Sequence, residues 1–120
     1  MQYKIRKALS SDVSEVINLC AEHAAYEKAA YIPEGKAEKL KSIFFSEKPN
    51  AFCLMVEMDS KIIGYATYSF EFSTWDAEYY LHLDCLYLRD EYRGYGIGAT
   101  LIKEIAKIAK KNNCSVMQWQ

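Results

Sequence analysis

Apolar and polar positions change period several times along the chain, and each change marks an element. Tyr3 to Lys7 alternates and predicts a short first strand. From Val13 the apolar residues take helical spacing, through Val16, Ile17 and Cys20 with Ala24 continuing the stripe, which predicts a helix running to about Lys28. Ser10-Ser11-Asp12 is its start signal, and Glu15 three residues after Asp12 resembles a capping box. Ile32-Pro33-Glu34-Gly35 breaks the pattern. A second helix follows from Lys36 to Phe45, with Leu40, Ile43 and Phe44 on one side, and Glu47-Lys48-Pro49-Asn50 ends it.

Three strands are predicted next. Ala51 to Met58 is rich in apolar residues, and the short polar break Asp59-Ser60 suits a hairpin. Lys61 to Phe72 is long, aromatic and β-branched, with Gly64 marking a bulge or a close approach. After a loop from Ser73 to Ala77, Tyr79 to Leu88 forms the fourth strand. Arg89 to Gly98 is a turn. Ile97 to Lys111 is an amphipathic helix whose inward stripe is Leu101, Ile102, Ile105, Ile108 and Ala109. Ser115 to Gln120 reads as a fifth strand. The order β-α-α-β-β-β-α-β implies an α/β (α+β) fold, a mixed sheet with helices packed on it, and the final β-α-β crossover implies two parallel strands. The elements follow closely enough for residues 1–120 to be one domain.

Composition narrows the function. A net charge of -1 offers no basic face for nucleic acid. No apolar run approaches the ~20 residues of a membrane helix, and Met1 to Lys7 lacks a signal-peptide core, so no membrane partner and a cytoplasmic setting are expected. Cys20, Cys53, Cys85 and Cys114 are scattered through apolar stretches and read as core thiols rather than zinc ligands. With two histidines and no H-E-x-x-H, no metal is expected.

The chemistry concentrates at Arg93-Gly94-Tyr95-Gly96-Ile97-Gly98, between a strand and a helix. Backbone N–H groups at a helix start lack intrahelical partners and carry the positive end of the helix dipole. Glycines remove side chains that would block an approaching diphosphate. The spacing is neither that of a P-loop nor the dinucleotide fingerprint G-x-G-x-x-G. A glycine-rich corner serving only tight packing is the plainer alternative.

This run resembles the R/Q-x-x-G-x-G/A motif of the GNAT superfamily of N-acetyltransferases, and the element order of the whole chain is similar to that fold. Glu91-Tyr92-Arg93-Gly94-Tyr95-Gly96-Ile97-Gly98, Asn113-Cys114-Ser115-Val116-Met117 and Tyr26-Glu27 resemble segments of its spermidine/spermine (diamine) acetyltransferases. The resemblance implies acetyl-CoA as cosubstrate, with backbone at Leu86, Tyr87 and Leu88 pairing its pantetheine arm and backbone N–H groups near a β-bulge on the fourth strand polarising the thioester carbonyl. Arg93 and the backbone of Gly94, Tyr95, Gly96, Ile97, Gly98 and Ala99 would hold its diphosphate. It implies Tyr26, Glu27 and Asp84 as contacts for a small cationic amine. The family pattern continues beyond a fifth strand through a helix and two strands, carrying a tyrosine that protonates the CoA thiolate. No residue of this sequence matches that tyrosine, so a domain lacking the C-terminal α-β-β is expected.

Asp84 is the candidate catalytic acid/base and amine anchor. Strand alternation would put His82, Asp84 and Leu86 on one face and Leu81, Leu83 and Cys85 on the other. An aspartate in an apolar strand needs a partner or solvent, so an edge-facing or salt-bridged carboxylate is the alternative. Glu27 either holds a cation or is a solvated helix residue, and Tyr26 either walls a cleft or packs. Glu71, Asp76 and Glu78 flank a loop that is solvated or attracts polycations, and Trp75 borders the amine site or covers apolar surface. Acetylation of a peptide or antibiotic amine, and a non-catalytic CoA-binding module, are the competing readings. An uncovered sheet edge implies a homodimer.

Overall fold

The computed structural model describes residues 2–119. A five-stranded sheet in the order β1-β2-β3-β4-β5 carries helices on both faces. Its strands are β1 (Lys4–Lys7), β2 (Ala51–Met58), β3 (Lys61–Ser73), β4 (Glu78–Leu88) and β5 (Met117–Gln118). The helices are α1 (Val13–Tyr26), α2 (Lys36–Phe44) and α3 (Ile97–Lys111). β1 to β4 are antiparallel neighbours, and β5 returns parallel to β4 after the α3 crossover.

The amphipathic patterns decide which face each helix covers. α3 buries Ile97, Leu101, Ile105 and Ala109 against Leu54, Val56, Ala66, Leu81 and Leu83 of the sheet. Each such aliphatic burial contributes about 1.5–3 kcal/mol, so Leu101→Ala would cost about 2–5 kcal/mol. On the opposite face Val16 and Leu19 of α1 pack on Cys53, Met55, Tyr65 and Tyr87, with Leu40 and Phe44 of α2 beside them. The β2–β3 hairpin turns through Asp59 and Ser60, both with positive φ (51° and 64°), which matches the twist of the strands.

Polar ties fix α1 to the sheet. Arg89, just beyond β4, bonds Glu15 at 3.0 Å, Glu22 at 2.9 Å and the Ile62 carbonyl at 2.7 Å. The expected Asp12–Glu15 capping box is therefore replaced. Glu15 is drawn to Arg89, while the Asp12 carboxylate accepts from the Leu9 N–H at 2.7 Å and from Arg6 at 2.7 Å. A buried carboxylate gains more from a guanidinium and a backbone N–H than from capping alone. Hydrogen bonding to Arg6, against the opposing effect of burial, holds Asp12 below its ordinary value.

Two irregularities bend the sheet. Ile63 is an extra residue in β3, where pairing passes from Val56↔Gly64 to Glu57↔Ile62. Asp84 is an extra residue in β4, where pairing passes from Thr67↔Cys85 to Tyr68↔Leu83. Gly64 stands at a close approach as well as beside a bulge: a Cβ there would lie 2.5 Å from Leu88 Cδ2 and 2.6 Å from the Tyr87 carbonyl oxygen. The fifth strand is shorter than expected, two residues rather than Ser115 to Gln120, and Gln120 lies outside the described residues. α1 stops at Tyr26 because Lys28 takes a left-handed conformation (φ 58°), leaving Glu27 as the C-cap.

Candidate active site

The bulge at Asp84 overturns the expected alternation of β4. Before it, Leu81 and Leu83 join the α3-side core; after it, Leu86 and Leu88 join that same core, while Cys85 and Tyr87 turn to the α1 side. One extra residue inverts the parity of everything downstream. Leu86 therefore does not share a face with His82 and Asp84, and Cys85 does not share one with Leu81 and Leu83. The bulge also explains how a carboxylate stands in an apolar strand. The Asp84 side chain is 67% exposed, with His82 Nε2 3.9 Å from one oxygen and the Cys85 thiol 3.8 Å from the other.

Asp84, His82 and Cys85 line a cavity of ≈ 490 Å³ between the sheet and the first two helices. Tyr65 and Thr67 of β3 and Cys20 of α1 contribute to its walls. The Tyr65 hydroxyl is bracketed by the Cys20 thiol at 3.4 Å and His23 Nδ1 at 3.2 Å. Burial first, and then the hydrogen bond with Cys20, push the Tyr65 hydroxyl far up. Burial and then the adjacent Asp84 charge push the Cys85 thiol up, so both remain neutral walls of the cavity at ordinary pH. Thr67 Oγ1 is buried without a hydrogen-bond partner among the described residues. Such an orphaned hydroxyl is rare, and here it borders open space.

Tyr26 and Glu27 gather elsewhere. With Leu86, Tyr87, Leu88 and Arg93 they line a second, smaller cavity of ≈ 240 Å³, and Asp84 is not among its walls. The reason is position along α1: Tyr26 is its last residue and meets β4 beyond the bulge, whereas Asp84 faces α2. Glu27 Oε1 lies 3.7 Å from His23 Nε2, and His23 stacks on Tyr87 with centroids 5.1 Å apart. Trp75 is 95% exposed at the β3–β4 hairpin and lines neither cavity.

The glycine corner follows directly. Gly94 and Gly96 have φ 85° and 82°, and a Cβ at either would meet nothing within 4 Å. Gly96 is the N-cap of α3, no side chain caps the helix, and its first turn carries no acid. The N–H groups at Ile97, Gly98 and Ala99 therefore lack intrahelical partners, with open space beside Gly94 and Gly96 and the helix dipole behind them. That geometry fits a diphosphate. Arg93 is not extended toward it: its Nε donates to the Leu88 carbonyl at 2.8 Å, and its guanidinium stacks 4.2 Å from the Tyr26 ring. β5 pairs only with Leu81 and His82, so among the described residues no strand covers that side of β4 from Leu83 to Leu88. An open strand edge leading from a bulge to a helix N-terminus can seat an extended amide chain ending in a phosphate.

Sequence reasoning did not find Thr67, Tyr65, Cys20 or Arg89. An arginine immediately after an apolar strand is the one signal that pointed to the last.

A bulged strand with an open edge, leading to an uncapped, glycine-bared helix start, is the arrangement that the resemblance to the GNAT superfamily implies. Comparison with known proteins agrees. The family model described as acetyltransferase (GNAT) family matches residues 14–120. The thialysine N-epsilon-acetyltransferase of Bos taurus is 34% identical over 128 residues, covering 96% of this chain and 75% of that protein. The spermidine/spermine N(1)-acetyltransferase-like protein 1 of Homo sapiens is 30% identical, over 98% of this chain and 18% of that protein. Among solved structures, a predicted acetyltransferase with acetyl-CoA from Clostridium acetobutylicum superposes with a TM-score of 0.86 at 17% identity, covering 99% of this chain and 80% of that one. The chain belongs to the acetyltransferase (GNAT) family of acetyl-CoA-dependent N-acetyltransferases.

Proposed function

We propose that this chain acetylates a primary amine of a small cationic acceptor, with the amine entering the cavity at Asp84. The observation that carries the reading is the continuity of the two halves: the bulge that exposes Asp84 stands at the head of the open β4 edge, and that edge ends at the glycine corner. The relatives named for thialysine and for spermidine/spermine support a cationic acceptor.

Acetyl-CoA supplies the activated acyl group. The backbone from Gly94 to Ala99 holds its diphosphate through N–H donors, and the exposed edge at Leu86 and Tyr87 aligns the pantetheine arm. Arg93 braces this segment through the Leu88 carbonyl. Tyr26, stacked on Arg93, and Glu27 wall the same channel. Asp84 attracts the ammonium form of the acceptor and accepts its proton, passing it to solvent, to which it is open, with His82 as a neighbouring carrier; the neutral amine then forms the C–N bond at the thioester carbonyl, the C–S bond breaks, and CoA leaves as a thiolate that takes a proton from solvent. Fixed approach of amine to acyl carbon accounts for much of the rate. We also propose a homodimer in which a second copy covers the free edge of β5, the last strand of the sheet among the described residues, leaving β4 open to the cosubstrate; sedimentation equilibrium at high protein concentration tests it, and a stable monomer refutes it.

The transfer is tested by thiol release from acetyl-CoA in the presence of spermidine, lysine and thialysine. Asp84→Asn is expected to lower kcat/KM by about 10²-fold or more, while acetyl-CoA affinity changes less than about twofold. An unchanged rate would remove Asp84 from the mechanism.

A further inference from the structure

α2 has an apolar side that the described residues cover only in part. Leu40, Ile43 and Phe44 share that side, because residues three and four apart are neighbours on a helix. Leu40 and Phe44 reach the core beneath α1, yet no residue of α2 is buried and Ile43 is 46% exposed. A helix of nine residues draws little stability from its backbone alone, so apolar area left in water is a cost that a ligand can remove.

That side is a wall of the cavity at Asp84. The polar groups of the same cavity gather at the bulge. Among the described residues only His82 comes within ion-pair distance of Asp84, at 3.9 Å. Thr67, whose buried hydroxyl has no partner, pairs with Cys85 next to Asp84. Lys39 and Glu71 also line the cavity, but both are exposed residues whose charges stay in water. A carboxylate and a free hydroxyl at the bulge, with an unfilled apolar wall beyond them, match a ligand of one ammonium group and an apolar body. A second ammonium reaching Leu40, Ile43 and Phe44 would lose hydration there without gaining a partner.

We propose that the acceptor is a primary monoamine with an apolar body, its ammonium at Asp84 and its body along Leu40, Ile43 and Phe44 of α2. This rests on the acetyl-transfer reading above and names the part of the acceptor that it leaves open. Ile43 is then a specificity-determining residue and not a catalytic one.

Hexylamine and pentane-1,5-diamine are of equal length and differ at one end, methyl against ammonium, so the pair isolates the wall. With acetyl-CoA saturating, thiol release gives kcat/KM for both, and for the series from butylamine to octylamine, in the wild type, Ile43→Ser and Ile43→Trp. A methylene taken fully out of water gains about fourfold and one covered on a single side about twofold. The wild-type series is therefore expected to rise by about two- to fourfold per carbon until the wall ends, with hexylamine preferred at least about tenfold over the diamine. Ile43 is already exposed, so Ile43→Ser is expected to fold and to flatten the rise, its effect growing with chain length. Ile43→Trp, which narrows the cavity, is expected to move the optimum to shorter amines. Calorimetric titration of each amine into the protein saturated with CoA gives a readout without turnover, and a negative heat-capacity change that grows with chain length marks apolar burial. A flat series, or a wild type that prefers the diamine, overturns the assignment of the wall while leaving acetyl transfer standing. A flat series in which Ile43→Ser weakens self-association in sedimentation gives the α2 side to a second copy and overturns it equally. Absence of turnover with every amine, with acetyl-CoA still bound, overturns the transfer reading; the calorimetric series then decides the wall by itself, and a flat one overturns it.

Discussion

Gly64→Ala tests how tightly β3 and β4 must approach. The added methyl would stand 2.5 Å from Leu88 Cδ2 and 2.6 Å from the Tyr87 carbonyl oxygen. The leucine can rotate, but the carbonyl belongs to the backbone and cannot yield without parting the strands. Two effects oppose each other. Replacing glycine restricts the unfolded chain and stabilises by about 0.4–1 kcal/mol, and Gly64 has no positive φ to make alanine strained. Overpacking destabilises by about 1–3 kcal/mol, and a clash with backbone belongs at the upper end. The net is a loss of about 2 kcal/mol, or about 8 °C in Tm for a domain of this size. Urea denaturation followed by circular dichroism measures it. Because Tyr87 and Leu88 border the proposed pantetheine edge, acetyl-CoA affinity should fall in the same variant. A change of less than about 0.5 kcal/mol would refute the close-approach argument.

Three further outcomes follow from the geometry. Asp12→Ala, which strands Arg6 beside Glu57, should lower stability by about 2 kcal/mol in urea titrations near neutral pH. Because Arg6 lowers the Asp12 value from its ordinary 3.8, this stabilisation is complete above that pH and is lost as pH falls below it, so the gap between wild type and variant should close in acid. Thr67→Val removes an orphaned hydroxyl at nearly constant shape and should leave stability unchanged or raise it by about 1 kcal/mol; a loss of similar size would mean that the hydroxyl has a partner. Burial pushes the Cys53 thiol to about 12, so folded protein at mildly alkaline pH should leave Cys53 unalkylated, and rapid labelling would contradict the packing around it.

The elements whose periodicity is strong were legible in the sequence. The apolar stripe and flanking glycines of α3 give Ile97–Lys111, and β2 is Ala51–Met58 as its composition predicts. The Asp59-Ser60 turn was legible for the same reason, a short polar break between two apolar runs. A bulge on the fourth strand was implied by the resemblance, but its place at Asp84 was not legible. Nothing in the run Leu81-His82-Leu83-Asp84-Cys85 reveals that one residue will lack a partner on β3, since that depends on register across two strands. The faces of Cys85 and Leu86 were misread as a consequence. The split between the Tyr26 channel and the Asp84 cavity was equally hidden, because it depends on where α1 ends relative to β4. Glycine at positions 94 and 96 did announce the local backbone, since both take the positive φ that glycine adopts freely.

The central claim is that the bared start of α3 grips the diphosphate of acetyl-CoA. Calorimetric titration of acetyl-CoA into the wild type, Gly96→Asn and Gly96→Asp measures it directly. Both substitutions tolerate the left-handed conformation and differ in charge alone. The account predicts saturable one-to-one binding by the wild type, weakened by asparagine and weakened at least about tenfold more by aspartate, whose charge repels the diphosphate. A wild type that does not bind, or two variants that bind as the wild type does, would contradict it.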